Sequence, residues 1–189
     1  MTQQGKNAID LVLAESLIEL SAKKPIDKIT IKEITDKAGV IRPTFYNHFQ
    51  DKYELIEWII KSELLEPIKP LLNAGMIFEA IVLMLNNISA NSVFYKKALK
   101  LEGAVTFNQI AMKCVYEMFM NIINEKSTGK KSKYRWLTPE VISTYYAQSL
   151  CFITEGWIAQ GMDDIEPKEM AEACMYLITR SMDDILSEL

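Results

Sequence analysis

Three helix signals within residues 25–52 constrain the fold of this part of the chain more than any other feature. Thr30 and Glu33 have the spacing of a capping box, in which each side chain bonds the other residue's backbone amide. Gly39 can end a helix in the left-handed conformation, and Pro43 is favoured at the first position of the next helix. The signals predict a short helix, a turn and a second helix, the layout of a helix-turn-helix motif. A helical hairpin of purely structural purpose has the same signals.

Helical periodicity continues on both sides of this motif. Apolar residues recur at intervals of three and four over 6–24, and Pro25 ends that segment. Asp51 and Glu54 predict the start of a long helix that runs toward Pro67. Five more helices are predicted at 76–89, 92–100, 104–125, 138–160 and 167–187. The pattern therefore predicts an all-α protein.

The composition agrees with a packed helical protein. Hydrophobic residues make up 49% of the 189 residues, and the chain has only seven glycines and six prolines, fewer than turn-rich sheet proteins usually carry. The start of the chain lacks the apolar segment of a signal peptide. The longest apolar run, 80–85, is far shorter than the roughly 20 residues that span a bilayer. We expect a cytoplasmic protein with no membrane partner.

No catalytic or metal-binding motif is found in the sequence. GxSxG, GxGxxG, P-loop and HExxH patterns are absent, as is a plausible Cys/His dyad. Cys114, Cys151 and Cys174 are widely spaced, and with a single histidine in the chain a conventional zinc site is not expected. We interpret these cysteines as buried thiols in a reducing compartment, with a redox or metal-sensing role as the alternative. We predict no enzymatic activity, no metal and no cofactor.

The second helix of the motif has two different faces. On a helical wheel, Phe45 and Phe49 fall on one side, where they can pack against the first motif helix. Thr44, Asn47 and His48 fall on the opposite side. Asparagine suits adenine, and the threonine methyl suits the thymine methyl, so this face could contact bases in a DNA groove. The alternative is that the histidine is structural or merely exposed and has no role in binding.

Further polar residues around the motif are placed to contact DNA. Arg42 could reach a guanine or a phosphate, and Tyr46 and Lys52 lie where flanking phosphates are expected. Lys28 and Lys32 could add contacts to the DNA backbone. The predicted DNA-binding residues are Lys28, Thr30, Arg42, Pro43, Thr44, Tyr46, Asn47, His48 and Lys52.

The distribution of charge supports contact with a nucleic acid. The chain has a formal net charge of −4, yet residues 23–52 carry seven basic and four acidic side chains, so the remainder carries about −7. A weakly basic surface on an acidic protein fits a DNA-binding face. One copy would neutralise few phosphates and bind weakly, so we expect two copies to act together.

Residues 26–60 resemble the DNA-binding domain of TetR-family transcriptional regulators. The matching features are Thr30 with Ile34, Ala38-Gly39-Val40, Phe45-Tyr46, His48-Phe49, and Lys52 with Leu55. The resemblance implies an N-terminal three-helix helix-turn-helix domain and a C-terminal helical domain for ligand binding and dimerisation. It implies two domains, residues 1–52 and 53–189, which are joined by the helix 51–66.

The resemblance also implies a homodimer on a palindromic double-stranded DNA operator, with residues 42–48 in the major groove and an unidentified small molecule as effector. We expect a repressor. Pro25 and Arg42-Pro43 depart from the usual pattern, and Lys24-Pro25 is similar to regulators of the dihydroxyacetone-kinase type, among which activators occur. A transcriptional activator, or a dimeric helical module that no longer binds DNA, are the alternatives.

The helices predicted at 138–160 and 167–187 carry broad apolar stripes with small residues. Two such helices from each subunit can form a four-helix interface, although both could instead complete the core of one subunit. The predicted interface residues are Tyr146, Leu150, Ile153, Trp157, Met170, Cys174, Leu177 and Ile178.

By the same resemblance, an effector pocket is expected among the C-terminal helices, where methionines offer an adaptable lining. Glu102 and Glu155 could hold a polar group of the ligand, or could simply be exposed. The predicted pocket residues are Met84, Tyr95, Glu102, Phe107, Met112, Met118, Phe152 and Glu155. We expect the polar, basic stretch 125–135 to be a surface loop.

Overall fold

A computed structural model describes residues 3–103, 105–126 and 133–188, with side chains from residue 8 onward. These residues form helices, and no strand occurs among them. The first half contains α1 (Gln3–Ser21), a 3₁₀ turn (Ile26–Lys28), α2 (Ile31–Ala38), α3 (Arg42–Tyr46), α4 (Lys52–Ile59), a π-helical segment (Ile60–Leu65) and α5 (Glu66–Asn73). The second half contains α6 (Ile77–Ala90), α7 (Ser92–Ala98), α8 (Phe107–Lys126), α9 (Pro139–Ala159), α10 (Pro167–Thr179) and α11 (Met182–Glu188). The predicted all-α class is confirmed.

The predicted helix signals of the N-terminal domain are all present. The hydroxyl of Thr30 accepts the Glu33 amide at 3.3 Å, and the Glu33 carboxylate accepts the Thr30 amide at 2.9 Å. Gly39 ends α2 with φ 68°, a value that strains any residue with a Cβ. Asp51 begins α4 by accepting the amides of Tyr53 and Glu54. Local side-chain chemistry therefore sets the ends of these short helices.

The three-helix domain is held together by a shared apolar core. Phe45 and Phe49 are buried, as predicted, with ring centroids 5.8 Å apart. They belong to the same buried cluster as Leu13 and Leu17 of α1 and Ile34 of α2. Because α3 has only five residues, it depends on this packing rather than on its own hydrogen bonds for stability.

Residues 52–73 form one helical run, called here the linker helix, but its centre is not α-helical. We predicted a regular helix over 51–66, and the π-helical segment Ile60–Leu65 was not expected. Pro67 explains it, since proline has no amide to donate to the carbonyl of Glu63 and its ring clashes with that carbonyl. The Asn87 side chain of α6 donates to the Glu63 carbonyl instead, at 2.8 Å.

In the C-terminal domain, α9 packs along α8, and α10 packs mainly on α6. The single helix predicted at 167–187 is wrong, because the chain is extended at Arg180 and restarts as α11. Ser181 and Asp184 cap the new helix reciprocally, with bonds of 3.2 and 3.1 Å. The remaining bounds differ from the predicted ones by up to three residues.

Part of the predicted loop 125–135 lies outside the described residues, at 127–132. The described residues that follow, 133–137, are exposed. No single helix in the described ranges is both long and apolar enough to cross a bilayer; only α6 and α7 together, bent by 88°, reach that length and composition.

Candidate functional site

The exposed side of α3 forms a small surface of mixed chemistry. Residues 41–44, 46 and 47 are called here the recognition face; all are exposed except Thr44, which is half-buried. Phe45 is completely buried beneath them. The face therefore presents a guanidinium, a phenol, a carboxamide and a hydroxyl on a rigid support.

Two side chains of the recognition face are bonded to each other. The Arg42 guanidinium donates from Nη2 to the Tyr46 hydroxyl at 3.3 Å, one helical turn away. The Tyr46 ring meets the buried Phe45 ring edge to face, with centroids 5.7 Å apart. These contacts orient both polar groups while leaving them accessible to a partner.

Ile41 is a member of this face that was not among the predicted DNA-binding residues. It is 68% exposed in the extended residue before α3, where a polar cap is usual. A large apolar side chain in that place is suited to contact a thymine methyl in the major groove. The signal was present in the sequence, since isoleucine is not a normal N-cap residue.

The expectation that His48 lies on the exposed face is wrong. Its side chain is only 1% exposed, and Nδ1 lies 2.6 Å from Oδ1 of Asp10 on α1. The helical wheel was extended past Tyr46, where α3 ends, and it could not include the buried carboxylate of a distant helix. His48 therefore ties the end of α3 to α1.

Lys52 is also engaged inside the domain. Its ammonium donates to the carbonyls of Ile26, Asp27 and Ile29 at 3.0, 2.7 and 3.2 Å. A lysine has three donors, so this arrangement uses all of them. Burial lowers the pKa of Lys52. Lys52 therefore holds α4 to the 3₁₀ turn, and its ammonium is not free to bind a phosphate.

Most other cations of the N-terminal domain have an acidic partner. Lys32 pairs with Asp36 at 2.7 Å, and Lys28 with Asp27 at 3.4 Å. Hydrogen bonds from Lys24, then from the Thr30 backbone and hydroxyl, lower the pKa of Glu33 to about 2. In the described chain, Arg42 and Lys23 form no ion pair with an acidic side chain. Little unpaired positive charge therefore remains for an anionic partner.

The C-terminal helices enclose a small internal space, called here the central cavity. It is lined by Ile60, Leu64, Leu65, Met84, Ile88, Tyr95, Phe107, Ala111, Val115, Leu150, Cys151, Thr154, Glu155 and Ile158. Of the predicted pocket residues, Met84, Tyr95, Phe107 and Glu155 are among them. Three members belong to the π-helical segment, so the linker helix forms one wall of the cavity.

The other four predicted pocket residues lie elsewhere. Glu102 is exposed, and Phe152 is 80% exposed and lines an open groove on the outer side of α9. Met118 is buried but lines a different pocket, together with Leu72 and Ile122, and Met112 lines none of these spaces. Periodicity indicated helices correctly, but it could not determine which apolar residues face a particular internal space.

A charge network joins the linker helix to α8. The carboxylate of Glu57 accepts Lys61 at 2.7 Å and Lys113 at 2.8 Å, and Lys61 also bonds Glu117 at 2.7 Å. Burial opposes the charge on Lys61, yet the two carboxylates raise its pKa above the ordinary value. These partly buried pairs fix the orientation of the first half of the linker helix against the C-terminal domain.

The predicted dimer residues divide into exposed and buried groups. Tyr146, Leu177 and Ile178 are exposed, and Leu150, Ile153 and Met170 are partly buried. The expectation that Trp157 and Cys174 are available to a partner is wrong. Both are at most 3% exposed, and the Trp157 indole donates to the Ile165 carbonyl at 3.0 Å. Tyr145 and Phe152 of α9 are also exposed and were not among the predicted interface residues.

No group of three or more metal-ligating side chains occurs among the described residues. All three cysteines are buried and unpaired, and burial raises the pKa of each thiol, in Cys114 and Cys151 to about 12. Such thiols are poor nucleophiles at neutral pH.

Two family models match the chain. Residues 15–59 match the family described as bacterial regulatory proteins, tetR family. Residues 76–180 match the family described as transcriptional regulator C-terminal region. The first range contains the recognition face, and the second contains most of the central cavity lining.

The chain is also similar to individual regulators. It is 26% identical over 152 residues, 79% of each chain, to the HTH-type dhaKLM operon transcriptional activator DhaS of Lactococcus lactis subsp. lactis (strain IL1403). A solved structure of the dihydroxyacetone kinase operon activator DhaS covers 90% of this chain and 93% of its own, with TM-score 0.63 and 21% identity. A solved structure of native NalD, the secondary repressor of the MexAB-OprM multidrug efflux pump in Pseudomonas aeruginosa, covers 92% of this chain and 96% of its own, with TM-score 0.59 and 12% identity. These two structural similarities concern the fold.

Proposed function

Because this chain belongs to the TetR family of bacterial transcriptional regulators, we propose that it binds a palindromic DNA operator as a homodimer and leaves it on binding a small effector. The two recognition helices of such a dimer would lie about 34–36 Å apart, or a multiple of that distance, to enter successive major grooves. The N-terminal domain, proposed as residues 1–52, makes the DNA contacts.

One observation carries this proposal. The recognition face holds Arg42, Tyr46 and Asn47 exposed above the completely buried Phe45. A purely structural hairpin would have no reason to orient a guanidinium against a phenol at its surface. Asn47 and Thr44 are proposed to contact base edges, Ile41 a thymine methyl, and Arg42 and Tyr46 a guanine or phosphates.

His48 and Lys52 are proposed to support this surface and not to bind DNA. Nδ1 of His48 and the ammonium of Lys52 are hydrogen-bonded to partners within the domain. Thr30, Lys28 and Pro43 are exposed, and we propose that they approach the DNA backbone.

The test is selection of bound fragments from genomic DNA with the purified full-length protein, followed by titration of the enriched sequence. We expect a palindrome, and an affinity that falls as salt rises, by about 0.9 log units per log unit for each neutralised phosphate. Asn47→Ala should lower operator affinity about five- to hundredfold, which corresponds to about 1–3 kcal/mol for a base contact.

Asn124→Ala is the matched control, because Asn124 is exposed on α8 far along the chain from the recognition face. It should leave operator affinity unchanged. Failure to enrich any palindrome, together with equal behaviour of the two asparagine variants, would favour the alternative of a helical dimeric module without DNA binding.

The linker helix is the proposed route from effector to DNA. Ile60, Leu64 and Leu65 line the central cavity, and the same helical run begins at Lys52 beside the 3₁₀ turn of the DNA-binding domain. A ligand that binds more tightly to one position of this cavity wall increases the population of that position. The spacing between the two DNA-binding domains of the dimer changes with it. We propose repression by operator occupancy as the basic mode of action.

Activation is the second candidate, and the similarity to the Lactococcus activator supports it. A repressor and an activator can share the recognition face and the cavity, so neither feature distinguishes them. Transcription in vitro from a promoter next to the selected operator does: added protein should lower the transcript if it represses and raise it if it activates. Whether the protein represses or activates transcription, we propose that it is cytoplasmic and has no catalytic activity.

A further inference from the structure

The last described helix, α11, is fixed at both ends, although the rest of the described protomer does not cover it. Ser181 and Asp184 cap its first turn, and the Tyr176 hydroxyl of α10 donates to the Glu188 carboxylate at 2.6 Å. No residue of α11 is buried. A helix of seven residues is not stable in water by its own hydrogen bonds, so α11 needs a surface to pack against.

The side chains of α11 indicate what that surface must offer. Met182 and Leu186 are one helical turn apart and are 69% and 63% exposed. The charged residues of the helix are all acidic: Asp183, Asp184 and Glu188. A complementary surface therefore combines apolar and basic groups.

Such a surface is present at residues 133–137, called here the basic segment. All five residues are exposed, with Trp136 at 74% and Tyr134 at 61%. They form a turn, in which the Leu137 amide donates to the Tyr134 carbonyl at 3.0 Å and the Lys133 ammonium lies 5.5 Å from the centre of the Tyr134 ring. Neither Lys133 nor Arg135 forms an ion pair with a described acidic residue. Tryptophan and arginine are the residues most often found at the centre of an interface.

The basic segment and α11 lie at the same end of the C-terminal domain. The segment leads into α9, which packs along α8, and Lys126 at the end of α8 donates to the Leu72 carbonyl near the end of α5 at 2.9 Å. The chain before α10 is at the other end, where Lys96 of α7 pairs with Asp163 at 3.6 Å and α7 contacts α1. Because α10 starts there and packs along α6, α11 lies toward the start of α6, which closely follows α5.

A two-fold dimer can bring these two surfaces together from different copies. The basic segment precedes α9 and α11 follows α10, and α9 and α10 carry the exposed apolar residues proposed for dimerisation. If α9 of one copy packs against α10 of the other, the basic segment of each copy approaches α11 of its partner. A two-fold axis repeats this contact, so it occurs twice in each dimer.

We propose that the basic segment of one copy binds α11 of a second copy. Trp136 covers the apolar side of α11, formed by Met182 and Leu186, and Arg135 pairs with Asp183. The inference rests on the proposed function only in taking the protein as a two-fold dimer.

The experiment exchanges charge between two copies of the full-length protein. Arg135→Glu places like charges at both contacts of the dimer, and so does Asp183→Arg with the opposite sign. Each variant alone should dimerise about tenfold more weakly than the parent, because two attractions become two repulsions. A mixture of the two variants should form a mixed dimer with parent affinity, since each contact then joins one acid and one base. Sedimentation over a concentration series, with one variant fluorescently labelled, measures these dissociation constants.

Lys23→Glu is the matched control. It makes the same change of charge at an exposed lysine of the DNA-binding domain, and it should leave the dimer dissociation constant unaltered. Trp136→Ala removes the apolar part of the contact and should weaken the dimer about tenfold or more. Circular dichroism of each variant shows whether it is folded.

Two outcomes would overturn the inference: the charge variants dimerise like Lys23→Glu, or their mixture dimerises no better than either variant alone. The second outcome would mean that the basic segment contacts α11 of its own chain. A parent protein that dimerises and binds its operator, with charge variants that dimerise equally well, refutes this inference alone. A parent protein that remains monomeric refutes the homodimer of the proposed function.

Discussion

The Asp10–His48 pair shows how a single buried contact can set the position of the recognition face. Asp10 lies on α1 and His48 follows α3, thirty-eight residues apart in sequence, and their side chains are 2.6 Å apart with almost no exposure to solvent. The contact holds the C-terminal end of α3, while Phe45 and Phe49 hold its underside. Residues outside the proposed DNA contacts can therefore control the fit of those proposed to bind DNA.

Replacing Asp10 by alanine should weaken both the fold and operator binding. The buried imidazole would lose its partner, which costs about 1–3 kcal/mol in the free energy of unfolding. Operator affinity should fall several-fold because α3 is less firmly held. Urea unfolding followed by circular dichroism, with operator titration on the same samples, measures both effects.

Asp10→Asn should retain most of the stability, since its amide oxygen can still accept a hydrogen bond from the imidazole. Glu15→Ala, on an exposed position of the same helix, should have almost no effect. Equal stability of Asp10→Ala and Glu15→Ala would show that the buried pair does not support α3.

At the scale of helices, the linker helix departs most from its sequence signals. Its π-helical segment begins where Ile60 enters the cavity wall and ends just before Pro67. The Glu63 carbonyl, which a regular helix would bond to the amide of residue 67, is bonded by Asn87 instead. π-helical turns occur often at functional sites, and this one forms the boundary between the cavity and the DNA-binding domain.

Asn87→Ala should lower the free energy of unfolding by about 1–3 kcal/mol, because the Glu63 carbonyl would be left without a donor. In a Pro67→Ala background, Asn87→Ala should lower the free energy of unfolding by clearly less. The alanine that replaces the proline has a backbone amide, which can donate to the Glu63 carbonyl. Chemical denaturation of the four proteins in this double-mutant cycle measures the difference.

Asn86→Ala is the control for this cycle. Asn86 is exposed and bonds only the Val82 carbonyl of its own helix, so its loss should change stability by less than about 0.5 kcal/mol. If the cost of Asn87→Ala were the same with and without Pro67, the proline would not be the reason for the side-chain bond.

At the scale of the whole molecule, the proposed dimer requires an apolar surface that the protomer leaves uncovered. Such a surface exists on α9 and α10, where Tyr145, Phe152, Leu177 and Ile178 are all exposed. Phe152 is the most exposed of them, and an aromatic side chain of this kind often contributes strongly to an interface. The buried Trp157 and Cys174 support this surface from inside the protomer.

Phe152→Glu should raise the dimer dissociation constant about a hundredfold or more, because a charge would be buried at the interface in place of an aromatic ring. Sedimentation equilibrium over a concentration series measures this constant. Leu11→Glu, a similar change at an exposed position of α1, should leave it unaltered. A dimer that tolerates Phe152→Glu but not Leu11→Glu would place the interface elsewhere.

The sequence by itself determined the features that depend on neighbours along the chain. The capping box of Thr30, the left-handed Gly39 and the spacing of Phe45 and Phe49 act within a few residues, so their consequences could be predicted correctly. Together with the apolar periodicity along the rest of the chain, they predicted the all-α class, the helix-turn-helix and the exposed character of Arg42, Tyr46 and Asn47.

Only the tertiary structure decided which polar side chains face inward and which apolar ones enclose a space. His48 turned inward because a carboxylate on α1 was available to it, and Lys52 because the carbonyls of Ile26, Asp27 and Ile29 lie within reach of its ammonium. Tyr95 and Thr154 share one cavity although 59 positions separate them in the chain. Hydrogen bonding and packing between distant segments depend on where whole helices lie, and periodicity along one helix contains no information about that.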